Sequence, residues 1–343
     1  MTRCLALALI AVLARPAPSD ACAPAPPHGE EVQIADEEAV IVWDAAHHVE
    51  HFIRRAGFHS TARAFGFLVP TPALPQLGEI DAGVFAQLAD AIRPPVEVED
   101  EWEPSCMLMM AGTKKGDEAG GAAPVHVLAA AHVAGFDATT IEADDPDAMA
   151  SWLGAHGFDA SPPLRAWLAG YVAARWKITA FVVASDEAAG AHAYDLATRA
   201  VHMTFATDRP MYPYREPAQP PAAGDRLFRL FFLSDRRYDA TLGTEPWTYG
   251  HAIFAAPIEH VPTSLQSFTP EHAFATVFVE EGLRRGSDEL FFVPSPTQRT
   301  IEQPTIHRVR EHAIPLDLIV IVLAIVLPVF VLWRRRRRRS ATA

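Results

Sequence analysis

Along the chain, short runs of β-branched and aromatic residues alternate with turn signals, and a few stretches switch to helical spacing. Residues 38–43 (Glu-Ala-Val-Ile-Val-Trp) predict a strand, 44–48 a turn, and 49–53 the returning strand. A third strand is expected over 64–69, ending at Pro70-Thr71-Pro72 because proline offers no ladder donor. Over 81–92 the apolar positions fall at 84, 85, 88, 91 and 92, a helical period with Asp81 as its cap and Pro94 as its stop. Residues 112–124 show no apolar period and read as a flexible loop, a candidate sub-boundary. Strands follow over 125–133 and 138–142. Two helices come next, one opened by acids and Pro146 and closed by Gly157, one capped by Ser161 and running from Leu164 to Ala174. Further strands are expected over 176–184, 200–206, 226–233 and 275–279, the last two with 290–293 as a possible partner. Residues 209–215 read as an irregular turn and 216–224 as a proline-rich linker. Strands outnumber helices, and hairpins precede helices instead of alternating with them. The expected class is α+β, a largely antiparallel sheet with a few packed helices, plus one C-terminal transmembrane helix.

The two ends carry the only long apolar runs. Residues 1–21 read as a signal peptide: Arg3, an apolar stretch too short to span a bilayer, then Ser19-Asp20-Ala21 before a cleavage point. At the other end, 314–333 is apolar apart from Asp317, Pro315 and Pro328. Twenty residues match the hydrocarbon thickness of a bilayer. Trp333 is placed for the interface, and Arg334, Arg335 and Arg336 begin a run of six arginines that holds the tail in the cytoplasm. The domain reading is therefore a leader at 1–21, an extracytoplasmic α+β domain at 22–300, a polar stalk at 301–313, a membrane helix at 314–333 and a basic cytoplasmic tail at 334–343. A sorting tail that is later cut is the competing reading of this end.

Composition sharpens this picture. Half of the 343 residues are hydrophobic, which excludes wholesale disorder, and the confinement of long apolar runs to the ends excludes a multi-span transporter. There are 26 Arg against 3 Lys and no Asn, the mark of a GC-rich and hence bacterial coding sequence. Between Cys22 and His312 stand 21 basic and 40 acidic residues, a charge of −19. Nucleic acid is not an expected partner of such a surface; the lipid bilayer is, through the C-terminal helix alone. No protein or glycan partner can be named.

Cys4 leaves with the leader, so Cys22 and Cys106 remain in an oxidising compartment, and one disulfide between them is the expected outcome. It closes a loop of about 85 residues, worth about 4–5 kcal/mol of chain entropy. Free thiols, or a lipidated Cys22, are the alternatives.

One stretch invites a catalytic reading. His47-His48-Val49-Glu50-His51 fits H-x-x-E-H, in which two histidines one helical turn apart bind zinc and the glutamate activates water. Here the stretch follows a strand and a turn. On a strand, positions 47 and 51 lie about 13 Å apart, too far to share one ion. They are read as hairpin histidines, and no metal or cofactor is assigned. Glu142, Asp144, Asp145 and Asp147 lack the alternation of a calcium loop and read as helix caps. Thr207-Asp208-Arg209-Pro210 with Tyr212 and Tyr214 reads as a structural turn, with a recognition surface as the alternative. No nucleophile elbow, phosphate loop or dinucleotide fingerprint occurs.

Several segments together resemble a known family. They are Ile141-Glu-Ala-Asp-Asp-Pro-Asp-Ala-Met-Ala-Ser-Trp-Leu-Gly-Ala-His-Gly-Phe158, Trp43-Asp44, Glu50-His-Phe-Ile-Arg54, Phe65-Gly-Phe-Leu-Val-Pro-Thr-Pro72 and Met203-Thr-Phe-Ala-Thr-Asp-Arg-Pro-Met-Tyr-Pro213. As a set they are similar to the exported bacterial domain-of-unknown-function family twenty-three-thirty, over about residues 22–300. The resemblance implies an exported protein with a cysteine near the cleavage point, often with a C-terminal span. It implies no reaction. The functional expectation is a membrane-anchored, exported, non-enzymatic binding or structural module at the bacterial cell surface. The runner-up is an extracytoplasmic hydrolase, with zinc at His47, Glu50 and His51 as one version.

The cysteine reading is checked by intact mass: without reductant the mature protein is expected to lack two hydrogens relative to its reduced form, and equal masses would refute it.

Overall fold

The computed structural model describes residues 23–62, 64–105, 136–143, 145–184, 194–197, 200–218, 226–282, 288–315 and 322–331. Its first elements are β1 (Ala23–Ala25), β2 (Val32–Asp44), β3 (Val49–Ser60), β4 (Ala64–Thr71), β5 (Gln76–Glu79), α1 (Gly83–Ala91) and β6 (Val96–Ser105). The middle of the chain forms β7 (Asp137–Ile141), α2 (Pro146–Ala155), α3 (Pro162–Ala173), β8 (Lys177–Ala184), β9 (Tyr194–Ala197), β10 (Val201–Ala206) and β11 (Met211–Tyr212). The last elements are β12 (Leu227–Ser234), β13 (Tyr238–Leu242), β14 (Glu245–Pro246), β15 (His251–Pro257), β16 (Phe274–Glu281), β17 (Leu290–Pro294) and β18 (Ile306–Pro315). The mixed α and β class, dominated by sheet, is as expected. The chain divides into two compact units, one of residues 1–93 and 130–303, the other of 94–129 and 304–343.

The first unit is built on a large sheet in the order β15-β16-β12-β2-β3-β10-β5, with β9 also paired to β3. All neighbours are antiparallel except β12 and β2. One face of this sheet carries Val40, Val42, Ile53, Phe231, Leu233 and Val277, and α1 buries Val84, Phe85, Leu88 and Ile92 in the same cluster. Ala91 faces solvent, so the apolar stripe of α1 is narrower than the sequence suggested. Asp81 still serves the helix start, accepting the Gly83 amide at 3.1 Å, although the capping position itself is Ala82.

The opposite face packs on a second layer. Phe58 meets Phe65 and Phe67 edge-on, with centroids 4.9 and 5.3 Å apart. These rings belong to the sheet β1-β4-β8-β7, whose far side is covered by α2 and α3 through Leu153, Phe158, Leu164, Trp167 and Leu168. Both helices begin as the sequence predicts. The Asp145 carboxylate accepts from the Ala148 amide at 2.7 Å, the Ser161 hydroxyl from Leu164, and Gly157 takes a φ of 83° beyond α2. Gly66 has its own reason: a Cβ there would sit 3.3 Å from both Ala25 and Phe158, so β1 and that ring close over bare backbone.

A bulge decides what the central core contains. Ile34 pairs with Phe58 and Glu37 with Ala56, so two residues of β2 oppose one of β3. The extra residue reverses the alternation and turns Glu37 onto the same face as Ile34 and Ile41. Glu37 is fully buried there, paired with Arg54 and with Arg226, which also grips Glu216 at 2.9 Å. The Tyr212 hydroxyl donates to Glu37, and Tyr214 to Glu280 at 2.8 Å. Glu216 and Pro217, expected to begin a linker, are therefore core: Glu216 is an anchor for Arg226.

Other expectations are corrected. β4 runs through Pro70 to Thr71, opposite Ile178 and Lys177 of β8, so the strand continues past the first proline. β17 pairs with β13 and β11, in the sheet β11-β17-β13-β14, and not with β12 or β16. In the second unit, residues within the expected stalk form β18, which runs parallel to β6 from Ile306 opposite Val96. This pairing joins an acidic strand to a basic one, with His312 2.7 Å from Asp100 and Arg310 3.7 Å from it. The expected membrane helix is not formed as a unit: 314 and 315 belong to β18, 322–331 are helical with apolar side chains exposed, and no helix among the described residues is long and apolar enough to cross a membrane. Cys22, Cys106, Trp333, Arg334, Arg335 and Arg336 lie outside the described residues, as do the leader, the 112–124 loop and the strand expected over 125–133.

Removing one partner of a buried ion pair strands the other in a low-dielectric interior. Arg226→Ala is expected to lower unfolding stability by about 3–5 kcal/mol, against about 1 kcal/mol for the cap variant Asp145→Ala. Urea denaturation of both variants checks the ranking; equal losses would contradict it.

Candidate functional site

At one end of the large sheet, the turn between β2 and β3 and the segment after β10 enclose an open cleft of about 450 Å³. The turn is organised by Asp44. Its Oδ1 accepts the amides of Ala46 at 3.0 Å and His47 at 3.1 Å, and its Oδ2 lies 2.6 Å from His47 Nδ1. Partial burial acts to raise the Asp44 carboxyl, but these hydrogen bonds outweigh it and hold the group below its ordinary range. His48 adopts a left-handed φ of 54°, with its ring edge-on to Trp43. Its carbonyl accepts the Thr207 amide at 3.0 Å, which ties the two walls together.

The second wall is Thr207 to Met211. The Thr207 hydroxyl donates to the Arg209 carbonyl at 2.9 Å, so it is engaged in the turn. The Arg209 guanidinium lies 3.4 Å above the Phe291 ring. His47, Asp208 and Arg209 thus face the cleft beside the apolar surfaces of Trp176 and Phe291. Ser and Cys do not line it.

Glu50 lies under this wall. It is fully buried, accepts the Met211 amide at 2.8 Å through Oε2, and leaves Oε1 with no hydrogen-bond partner among the described residues. Burial pushes its carboxyl well up. Glu50 shares a face of β3 with Phe52 and Arg54, whereas His51 shares the opposite face with Ile53. The sequence pattern H-x-x-E-H therefore does not assemble: His47 is in the turn, Glu50 is in the core and His51 is on the other side of the sheet. Among the described residues no three His, Cys, Asp or Glu side chains are grouped to hold a metal.

A family model described as an uncharacterized protein conserved in bacteria (DUF2330) matches residues 16–268, about three quarters of the chain. The chain belongs to this family. Neither the curated proteins nor the solved structures provide a match. The DUF2330 match includes His47, Asp208, Arg209 and Met211 of the cleft and ends before Phe291.

The turn at 207–210 was visible in the DUF2330 sequence as a candidate recognition surface. Trp176 and Phe291 were not, because β8 and β17 reach the cleft from distant parts of the chain. Also missed was His202, which pairs with His51 across β3 and β10 at 3.2 Å. Desolvation lowers both imidazoles, His202 to about 4, with the neighbouring His51 as its second cause; Asp44 partly opposes the shift of His51. Each ring stacks on Phe268, at 4.2 Å for His51 and 5.0 Å for His202.

These groups give opposite pH signatures. A glutamate whose folded value is raised contributes stability that is complete below about pH 4.5 and lost as pH rises toward that raised value. Glu50→Gln keeps the acceptor for Met211 and is expected to gain stability relative to wild type as pH rises above that point. A histidine whose folded value is lowered destabilises the fold as pH drops from about 6.5 toward 4, so His202→Phe is expected to flatten the acid limb. Thermal unfolding across pH 4–8, read as variant minus wild type, checks both signs.

Proposed function

We propose that this protein is an exported, membrane-anchored binding module whose cleft at the β2–β3 turn takes a polar ligand with an apolar face. The observation that carries the reading is the lining of that cleft. A charged guanidinium fixed on an aromatic ring, an aspartate and an Asp44-supported imidazole stand beside flat apolar surface. Such a set recognises charge and shape. The anchoring half of the proposal is supported by the apolar stretch 314–333, by the six arginines after it and by the leader at 1–21. A disulfide between Cys22 and Cys106 accords with the same compartment.

A second reading, an extracytoplasmic hydrolase, draws on one observation, the Asp44–His47 pair at 2.6 Å. An imidazole oriented by a carboxylate is the support a general base needs. It would have to act on water directly, without zinc from Glu50 or His51.

Protease added to intact cells is expected to digest the segment 22–313 while sparing the cytosol; protection of that segment would end the anchored, exported reading. For the cleft, the full-length protein is screened on an array of soluble glycans and peptides. Retention that Arg209→Ala reduces about tenfold or more supports the binding reading. Retention unchanged in that variant, or absent throughout, refutes it.

A further inference from the structure

On the α1-facing side of the large sheet, two strands bring together a donor set that is invisible in either alone. Thr204 stands directly opposite His51 in the β3–β10 register, and His202 lies two residues before it on the same face. The three polar atoms form a triangle with equal edges. His51 Nδ1 and His202 Nε2 are 3.2 Å apart, and Thr204 Oγ1 is 3.2 Å from each.

Two hydrogen bonds can serve the atoms of such a triangle, but one edge is left without a proton of its own. A neutral imidazole nitrogen either donates or accepts, and the hydroxyl carries one proton. If one imidazole donates and the other accepts, two edges are filled and the third competes for the same proton. If both donate or both accept, the edge between the rings is repulsive. A cation above the triangle serves all three atoms at once. Donors bound to a tetrahedral ion at about 2.0–2.1 Å lie about 3.3 Å from one another, which is the spacing found here.

We propose that His51, His202 and Thr204 form a binding site for one divalent transition-metal ion of the zinc or copper class, with solvent completing the coordination. Two imidazole nitrogens select such ions over calcium and magnesium, which take oxygen donors. The third donor is the Thr204 hydroxyl. Phe268 stacks on both rings and restricts their rotation. The Asp44 carboxylate is close enough to act on His51 electrostatically, and the strongly acidic segment between Cys22 and His312 attracts cations. The site lies on the face of β3 opposite Glu50 and is independent of the ligand proposed for the cleft.

The test uses the full-length protein, purified without a polyhistidine tag, stripped with chelator and titrated calorimetrically with zinc and, separately, copper(II) chloride. One equivalent is expected to bind saturably. His51→Ala and His202→Ala should each weaken binding about tenfold or more, Thr204→Val should weaken it less, and His260→Ala, at an exposed histidine outside the set, should leave it unchanged. Circular dichroism verifies folding of each variant. If an alanine variant unfolds, titration of the wild type followed by imidazole proton resonances replaces it: selective shifts of His51 and His202 support the site. Absence of saturable binding, or binding that His202→Ala or the His51 and His202 resonances do not register, overturns it.

Discussion

The central constraint in this molecule is charge buried between two sheets. Glu37, Arg54, Arg226 and Glu216 lie in a core made mostly of aromatic and aliphatic side chains. Ionic groups in such surroundings are tolerated only when each finds its counter-charge with good geometry. That requirement links segments far apart in sequence: a bulge in β2, the middle of β3, the start of β12, and the proline-rich stretch after β11. A β2 strand without its bulge would point Glu37 at the α1 side, away from Arg54 and Arg226. The polar network therefore specifies register, which apolar packing alone would leave freer.

The same sheet separates two chemistries by alternation. Even-numbered positions of β3 from Glu50 to Phe58 face the sandwich core, and Glu50 is held there by the Met211 amide. Odd-numbered positions face the α1 side, where His51 meets His202 and Thr204. Adjacent residues of one sequence motif are thus committed to unrelated environments. The cleft is a product of the strand ends: a turn pinned by Asp44 and a loop pinned by Thr207 and Glu50 form two walls, and Phe291 from β17 supports Arg209 between them.

Much of the local structure was legible in residue patterns. The first hairpin, α1, α2 and α3 and their caps at Asp145 and Ser161 follow from spacing, capping chemistry and glycine placement, all of which act within a few residues. The strands β5, β6, β13 and β18 were not predicted, since their sequences are short, polar or charged and gain order from neighbours. β6 is rich in acidic residues, and β18 supplies His307, Arg310 and His312 beside it. Glu216 reads as linker until Arg226 and Glu37 surround it. In each case the stabilising partner is distant in the chain, so no local window contains the information.

The sequence by itself determined class, family and the distribution of charge and apolar length along the chain, because these depend on composition and on periods of two and 3.6 residues. It also weighed against a helical zinc motif at His47, Glu50 and His51, since a turn and a strand space them wrongly. Only tertiary structure decided where each of them went: His47 to a carboxylate at the cleft, Glu50 to a buried amide, and His51 to an imidazole 151 positions away. Strand pairing is a long-range choice made by burial and by satisfaction of polar groups across the whole sheet, and that choice brings the donors of a site within bonding distance.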